Sequence, residues 1–340
     1  MRFTSDNTAT VSPEILSAIV EANAAPTTPY DGDPWSSRLS EVFSNFFGAE
    51  VEAFAVTSGT AANSLALACM TPPFGAVVCH REAHINVDEC GAPEFYTGGA
   101  KLLLAEGRCA KITPESFAAV LADMRVGDVH QVQPKVLSLT QATELGCVYT
   151  PAEVATLAGA AKARGMTVHM DGARFANALA HLDCHPADIT WKAGVDALSF
   201  GATKNGALAA EAVIFFNRDL AAQFPFRRKR GGHLLCKGRY ISAQLLAYIE
   251  TGLWRRNAER ANAMAQRLAQ AARGRLLYPV EANELFLNVG IEGARQLRAE
   301  GFEFYDWGAE GSGQIRLVVS WDQVEVHVEA LAAALESLPV

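Results

Sequence analysis

Two charged residues stand at the ends of strand-like apolar runs, where a side chain could do chemistry. Asp171 closes the run 166–171, and Lys204 lies just beyond the run 196–201. A carboxylate at the end of a buried strand needs a partner to offset its lost hydration. The lysine is either a surface charge or a nucleophile directed into a crevice, and the local sequence favours neither. Because one helix-sized segment and one strand separate the two residues, a βαβ unit would bring both to the same edge of a sheet.

Arg174 and a small turn formed by Ser58, Gly59 and Thr60 add to this group. Arg174 could share the pocket of Asp171, although an Asp–Arg pair in a plain turn explains the same residues. The turn precedes a helical pattern, and backbone N–H groups at a helix start bind anions. Gly59 would let an anion approach closely, but Ser-Gly-Thr is also common where a helix simply begins.

A lysine, a carboxylate and an anion-binding turn in one crevice match the needs of pyridoxal 5′-phosphate. Its aldehyde forms a Schiff base with a lysine, and its pyridine nitrogen stays protonated beside a carboxylate. Its phosphate accepts hydrogen bonds from backbone N–H groups. The lysine must be neutral to attack, and burial near other cations lowers a lysine pKa. The combination predicts a site for this cofactor, although no single part would do so alone.

His80 and His84 are four residues apart and could share one face of a helix, with Asp88 one turn further on. A metal pair is conceivable at this spacing, but no third ligand is evident, so we expect no metal site. Ring stacking or proton transfer by one histidine is the sharper hypothesis. A polar residue at a domain edge is the alternative that requires no function.

The segments that would position these residues alternate between strand-like and helical patterns. Apolar runs of strand length lie at 52–58, 76–80, 101–105, 134–141, 166–171, 196–201 and 211–217. Helical patterns lie between them, including 60–70, 113–125 and 150–165. The last two open with Thr-Pro, an N-cap followed by proline in the first helical position. The alternation predicts an α/β fold with a mainly parallel sheet, in which ligands bind beyond the carboxyl ends of the strands.

From about residue 240 the pattern changes. A long helical stretch at 241–274, with a break near Gly252, precedes short strands at 285–290 and 314–321 and helices at 293–301 and 324–338. We therefore expect a large α/β domain over 1–240, including the N-terminal segment, and a smaller α+β domain over 241–340. Two domains are usual for a chain of 340 residues.

The composition argues against several functional classes. The net charge of −8 gives no general attraction to nucleic acid, and a basic stretch at 224–239 is explained most simply as a solvated or interface surface. The sequence contains no apolar run long enough for a membrane span. Seven cysteines, an odd number without a CxxC pair, argue against a disulfide framework or a zinc site. Together with a polar N-terminus, these features predict a cytoplasmic protein.

Several motifs together resemble the threonine aldolases, a part of the β-eliminating lyase group of fold-type-I pyridoxal-phosphate enzymes. They are FTSDNTATVSPEI, YDGDPWSSRLSEVFSNFFG, AVTSGTAAN, CHREAHINVDECGAPEF, HMDGARFANAL, SFGATKNG and IRLVVSW, and they span nearly the whole chain. The HxDGAR block with a downstream TKNG lysine is highly specific for this group. Gln-Ala-Thr-Glu at 141–144, where other members tend to carry a Glu-Asn-Thr-His type segment, resembles the low-specificity and phenylserine-cleaving branch.

The resemblance implies an aspartate-aminotransferase-like fold with a seven-stranded sheet, and it assigns roles to the cofactor-binding residues. Lys204 would hold the cofactor covalently, and Asp171 would pair with its pyridinium nitrogen. Arg174 would contact its phenolic oxygen, and His84 would stack on its ring. The phosphate would bind at the turn formed by Ser58, Gly59 and Thr60.

The same resemblance implies the substrate-binding residues and a site shared between subunits. Ser5 and Arg316 would hold the substrate carboxylate, for which arginine offers a planar pair of donors. His130 corresponds to a second active-site histidine. Active sites in this family form at dimer interfaces. We therefore expect a homodimer or homotetramer in which Arg230 and Lys237 reach the phosphate of the neighbouring subunit.

The implied activity is retro-aldol cleavage of L-threonine, L-allo-threonine or a related β-hydroxy-α-amino acid such as phenylserine to glycine and an aldehyde. His84, or a water held by His84 and His130, would remove the β-hydroxyl proton, since histidine titrates near neutrality. Another reaction on the same cofactor, namely β-elimination, transamination or racemisation, would use the same lysine and aspartate and stays open. We expect neither a non-catalytic regulator with an added DNA-binding domain nor a nucleic-acid-binding module.

Overall fold

A computed structural model describes residues 1–339, and its centre is a seven-stranded sheet. The strands are, in chain order, β1 (Glu52–Val56), β2 (Gly75–His80), β3 (Lys101–Ala105), β4 (Gln133–Thr140), β5 (Thr167–Gly172), β6 (Ala197–Gly201) and β7 (Glu211–Phe215). They lie side by side in the order β1-β7-β6-β5-β4-β2-β3. Strand β7 runs antiparallel to both of its neighbours, and the other adjacent pairs are parallel. The predicted strands and the mainly parallel sheet are confirmed.

Helices cover both faces of this sheet. Those before residue 251 are α1 (Pro13–Ala22), α2 (Leu39–Phe47), α3 (Gly59–Met70), α4 (His84–Val87), α5 (Ala92–Thr97), α6 (Pro114–Leu121), α7 (Pro151–Lys162), α8 (Phe175–Leu182), α9 (Phe224–Arg230) and α10 (Arg239–Glu250). Val78 of β2 packs into a core cluster with α2 and α7, whereas its neighbours Val77 and Cys79 pack into a cluster with α3 and α9. Because side chains alternate between the two faces of a strand, β2 is buried throughout.

The two predicted Thr-Pro helix starts are present. Thr113 accepts a hydrogen bond from the backbone N–H of Ser116, and Thr150 accepts one from that of Glu153. In each case the side chain of the later residue accepts a bond from the N-cap backbone in return. These reciprocal bonds fix the first turns of α6 and α7.

A smaller antiparallel sheet follows in the C-terminal part of the chain, as predicted. Its strands are β8 (Glu284–Asn288), β9 (Tyr305–Trp307) and β10 (Gln314–Val318), in the order β8-β10-β9. The accompanying helices are α11 (Leu253–Ala271), α12 (Gly290–Ala299) and α13 (Glu325–Ser337). Strand β9 was not predicted, because its three residues are mostly exposed and carry no apolar pattern. None of the helices within residues 1–339 is both long and apolar enough to cross a membrane.

The predicted break in the long helical stretch is confirmed at Gly252, whose φ of 68° interrupts the helix between α10 and α11. Leu245 and Tyr248 of α10 pack into the core of the large sheet. Met264 and Leu268 of α11 pack into the core of the small sheet. The two cores therefore adjoin along this pair of helices, and a domain boundary at residue 240 stays a prediction.

Candidate active site

The predicted lysine and aspartate lie at the carboxyl edge of the large sheet. Asp171 of β5 pairs with Ser199 of β6, and Lys204 lies in a short 3-10 turn directly after β6. A Cβ on Gly201 would stand 2.5 Å from the carbonyl oxygen of Ala173. Only glycine therefore lets the turn that carries Lys204 approach the loop that follows Asp171.

These residues line a cavity of about 310 Å³. Its lining consists of Asn7, Thr57, Ser58, Gly59, Thr60, Asn63, His84, Thr140, Ala142, Glu144, Asp171, Ala173, Arg174, Thr203, Lys204 and Glu211. The structure thus brings together seven of the predicted site residues: Ser58, Gly59, Thr60, His84, Asp171, Arg174 and Lys204. A larger cavity of about 660 Å³ near Cys109 and Cys147 contains none of them.

The surroundings of Lys204 lower the pKa of its side-chain amine. The positive charge of Arg174 and the burial of the amine both lower the pKa of Lys204, while Asp6, Glu284 and Asp171 act in the opposite direction. A neutral amine is the form that attacks a carbonyl carbon. The electrostatics of the cavity therefore shift Lys204 towards the form in which an amine can act as a nucleophile.

Asp171 is 4% exposed and fixed by two donors. Its Oδ1 accepts the backbone N–H of Ala173 at 3.0 Å, and its Oδ2 accepts the side-chain amide of Asn63 at 2.8 Å. A buried carboxylate held by neutral donors can still bind a cationic ring nitrogen.

The predicted anion site is the start of α3. Ser58 is the N-cap, and its hydroxyl accepts the backbone N–H of Ala61 at 3.2 Å. A Cβ placed on Gly59 would meet no heavy atom within 4 Å, so the space beside this residue is open. The first turn of a twelve-residue helix therefore faces the cavity with room for a phosphate.

His84 begins α4 and is held by two acidic residues. Its Nδ1 lies 2.8 Å from Oε1 of Glu89, and its backbone N–H donates to Oε1 of Glu144 at 3.0 Å. The hydrogen bond to Glu89 raises the pKa of His84 despite burial. Oε2 of Glu144 is buried without a hydrogen-bond partner within residues 1–339. Burial raises the pKa of Glu144 to about 7.

A buried ion cluster ties the cavity to the small sheet. Arg174 donates to the carboxylate of Asp6 at 2.7 and 3.0 Å and lies 3.1 Å from Glu284. Glu284 in turn accepts a 2.7 Å bond from Arg316. Although burial opposes it, the charge of Arg174 and the hydrogen bonds from Arg174 and Asn283 hold the pKa of Asp6 at about 2. Asp6 therefore stays ionised, and the cluster joins the N-terminal segment, the large sheet and the small sheet.

The two predicted substrate ligands lie next to the cavity without lining it. Ser5 precedes Asp6, and its hydroxyl accepts the backbone N–H of Asn7, which does line the cavity. Arg316 reaches the cluster through its bond to Glu284. Carboxylate binding by these residues stays a prediction.

Three predicted residues lie away from this cavity. His130 precedes β4 at its amino end, at the opposite edge of the sheet from Asp171, and is exposed. His130 does not line the cavity of its own chain, so its role as a second active-site histidine stays a prediction. Arg230 and Lys237 are also exposed and line no part of the cavity, so their contribution to a neighbouring subunit stays a prediction.

Sequence analysis missed several residues of the site, among them Asn63, Glu89 and Glu211. Asn63 follows the anion-binding turn by one helical turn, and Glu89 belongs to the same motif as His84. Both could have been found by asking which polar residues of the motifs would be buried.

His80, the other histidine of that motif, is bonded to the backbone of Gly107. Residues 1–339 contain no group of three acidic, histidine or cysteine side chains placed to hold a metal ion.

Glu211 is a buried acid at the start of β7 on the cavity wall. It is 7% exposed, and its Oε2 accepts the backbone N–H of Ala202 at 3.1 Å. Burial raises the pKa of Glu211 from 4.5 to about 7. Between about pH 4.5 and about pH 7, Glu211 therefore keeps its proton in the folded protein, whereas the unfolded chain has released it.

This difference predicts a pH-dependent gain in stability for Glu211→Gln. Stability contributed by the protonated acid is lost as pH rises from about 4.5 to about 7, whereas glutamine stays neutral and can still accept the Ala202 N–H. At pH 8 the variant should be more stable than the wild type by up to about 3 kcal/mol, with little difference at pH 4.5. Chemical denaturation at both pH values measures this. Glu41→Gln, at an exposed position of α2, should show no such trend, and an equal gain for Glu211→Gln at both pH values would contradict the prediction.

Comparison with protein families gives one match over most of the chain. Residues 2–291 match the profile of the β-eliminating lyase family. Two curated relatives, both called "Low specificity L-threonine aldolase", are similar over nearly their full length. The one from Pseudomonas sp. is 42% identical over 99% of this chain and 97% of its own, and the one from Pseudomonas aeruginosa is 43% identical over 97% and 96%.

Solved structures agree on the fold. A threonine aldolase from Leishmania major superposes with a TM-score of 0.92 at 26% identity, covering 99% of both chains. A probable N-succinyldiaminopimelate aminotransferase from Thermus thermophilus superposes with a TM-score of 0.74 at 15% identity, covering 100% of this chain and 95% of its own. The aminotransferase match supports the predicted aspartate-aminotransferase-like fold and nothing more specific.

Proposed function

Because the chain belongs to the β-eliminating lyase family, we propose that it is a pyridoxal-phosphate-dependent aldehyde-lyase that cleaves β-hydroxy-α-amino acids to glycine and an aldehyde. The substrates are L-threonine, L-allo-threonine and related compounds such as phenylserine. The observation that carries the proposal is the convergence of Lys204, Asp171 and the start of α3 on one cavity. The similarity to two relatives called low-specificity L-threonine aldolases supports the reaction.

The cavity residues fit pyridoxal 5′-phosphate. Lys204 would bind its aldehyde carbon, Asp171 its ring nitrogen and the first turn of α3 its phosphate, with His84 against the ring. When bound there, the cofactor supplies an electron sink for the pair left behind by carbon–carbon cleavage. The open space beside Gly59 and the unpartnered Oε2 of Glu144 are the features of the cavity wall that a polar ligand would use.

The protein side chains would orient the substrate and move protons. Arg316 and Ser5 would hold the substrate carboxylate and so set which bond at Cα is exposed to the cofactor. His84 would take the proton of the β-hydroxyl group, since its hydrogen bond to Glu89 raises its pKa and so makes it a stronger base. Lys204, whose pKa is lowered by the charge of Arg174 and by burial, would be the amine that holds the cofactor between turnovers.

The decisive experiment compares products from L-threonine, L-allo-threonine and L-phenylserine with the same purified protein. Glycine with acetaldehyde or benzaldehyde supports the proposal. Formation of an oxo acid together with ammonia would indicate β-elimination, and formation of an oxo acid without ammonia would indicate transamination. Inversion of the configuration of the substrate would indicate racemisation. Release of glycine from none of the three substrates would refute the proposed reaction.

We further propose that the protein acts in the cytoplasm as a homodimer or homotetramer. The exposed cations Arg230 and Lys237 lie in the basic stretch at 224–239, away from their own cavity, which suits a contribution to a neighbour's phosphate site. Sedimentation of the purified protein measures the oligomeric state. If the protein were a monomer at the concentration used for the assays, the proposal that subunits share their active sites would be wrong.

A further inference from the structure

A chain of hydrogen bonds joins Asp171 to His84 through two buried side chains that the proposed reaction does not yet use. The side-chain nitrogen of Asn63 lies 2.8 Å from Oδ2 of Asp171 and 2.8 Å from Oε1 of Glu89. Oε1 of Glu89 lies 2.8 Å from Nδ1 of His84. Asn63 is 1% and Glu89 3% exposed, so water does not compete for these bonds.

The chemistry of the groups fixes where the hydrogens lie. An amide nitrogen has two hydrogens to donate, so Asn63 gives one to each carboxylate. Oε1 of Glu89 thus accepts a bond from Asn63 and another from His84, which makes it the oxygen that best carries negative charge. The hydrogen of a neutral His84 then lies on Nδ1, and Nε2 keeps a lone pair. Within residues 1–339, Nε2 of His84 makes no hydrogen bond.

We propose that Glu89 is a positioning residue that fixes His84 in the tautomer with hydrogen on Nδ1, so that Nε2 is the atom that accepts a proton in the cavity. Asn63 supports this arrangement by holding the carboxylates of Glu89 and Asp171 on its two hydrogens. The inference rests on the proposed function, in which His84 accepts the proton of the substrate hydroxyl.

The charged groups around His84 determine how its pKa would change if the charge of Glu89 were removed. Glu89 raises the pKa of His84 most, Asp171 adds to this, and burial and Lys204 oppose it. Oε1 of Glu144 accepts a hydrogen bond from the backbone N–H of His84. Since an acid within hydrogen-bonding distance favours the charged imidazolium, replacing Glu89 by a neutral residue of the same shape lowers the His84 pKa.

The first test needs no variant. In the cofactor-loaded wild-type protein, selectively labelled with ¹⁵N-histidine and studied without substrate, the nitrogen shifts of neutral His84 should identify Nδ1 as the protonated atom. His84→Asn assigns the signal. A neutral His84 with its hydrogen on Nε2 would overturn the proposal.

The second test uses Glu89→Gln, whose side-chain oxygen can still accept from both Asn63 and His84. The His84 titration midpoint should fall by about one pH unit. The acid limb of kcat/KM should move to lower pH by the same amount. A merely structural role would lower kcat/KM equally at every pH and leave the midpoint unchanged, and that result would also overturn the proposal.

Asp88→Asn is the matched control, because Asp88 is the adjacent acid and its side chain is exposed. It removes the same charge from the same segment and should shift neither the midpoint nor the acid limb; a shift equal to that of Glu89→Gln would overturn the specific role of Glu89. The histidine titration is read without substrate, so it tests Glu89 even if the assays show a reaction other than aldol cleavage. Failure of the proposed function is seen separately, in the products.

Discussion

Lys204→Ala should lose the absorbance of the covalently bound cofactor and at least about 10³-fold in kcat for glycine release. The lysine is the one amine on the cavity wall whose pKa is lowered, by the charge of Arg174 and by burial. Alanine leaves the phosphate and ring-nitrogen contacts in place, so the cofactor should still bind, but without a covalent bond. Absorbance spectra during cofactor titration and steady-state assays of glycine release measure the two effects.

Lys192→Ala is the matched control for this prediction. Lys192 is about half exposed and pairs with Asp188 on the surface, and it takes no part in the cavity. Its replacement should leave both absorbance and activity at the wild-type level. If Lys204→Ala cleaved L-threonine at the wild-type rate, the role assigned to Lys204 would be wrong.

The large sheet could be predicted almost completely from the sequence, because β2, β6 and β7 are buried throughout and the remaining strands still carry apolar runs. Runs such as the one at 76–80 are apolar at successive positions, and each corresponds to a strand of the sheet. Strand β9 escaped prediction for the opposite reason, since a three-residue edge strand with mostly exposed side chains has no apolar pattern.

The family was identified from motifs alone, and its match over residues 2–291 confirms that identification. Residues that follow strands directly, such as Asp171 and Lys204, could be found because the strand ends share one edge. Asp6 and Glu284 could not be found this way, since no local pattern shows that the N-terminal segment and β8 meet around Arg174. Such contacts between distant segments depend on the packing of the two sheets.

The contact between these segments leads to the largest expected change in stability, that of Arg174→Met. Methionine has no charge, so Asp6 and Glu284, which are almost completely buried, lose the cation that they share. Removing one partner of a buried ion pair costs about 3–5 kcal/mol, because the remaining charges stay desolvated. Denaturation by urea at pH 8, with cofactor present for both proteins, should show a loss of this size.

The loss of stability caused by Arg174→Met should be smaller at low pH, because of the way in which the pKa of Asp6 differs between the folded and unfolded protein. In the wild type the pKa of Asp6 is about 2, below its unfolded value of 3.8, so its favourable contribution is present above about pH 4 and fades towards pH 2. Without Arg174, burial raises the pKa of Asp6, and protonation relieves the unpaired charge as the pH falls. The difference between the two proteins should therefore be clearly smaller at pH 5 than at pH 8.

Arg174→Lys separates charge from geometry. A lysine keeps the positive charge but cannot reach Asp6 with two parallel donors while also contacting Glu284. Its cost should lie between zero and that of Arg174→Met, with a weaker dependence on pH, because the two carboxylates still face a cation. Equal losses for both variants at both pH values would mean that packing of the arginine stem, and not neutralisation of the two acids, holds the N-terminal segment and the two sheets together.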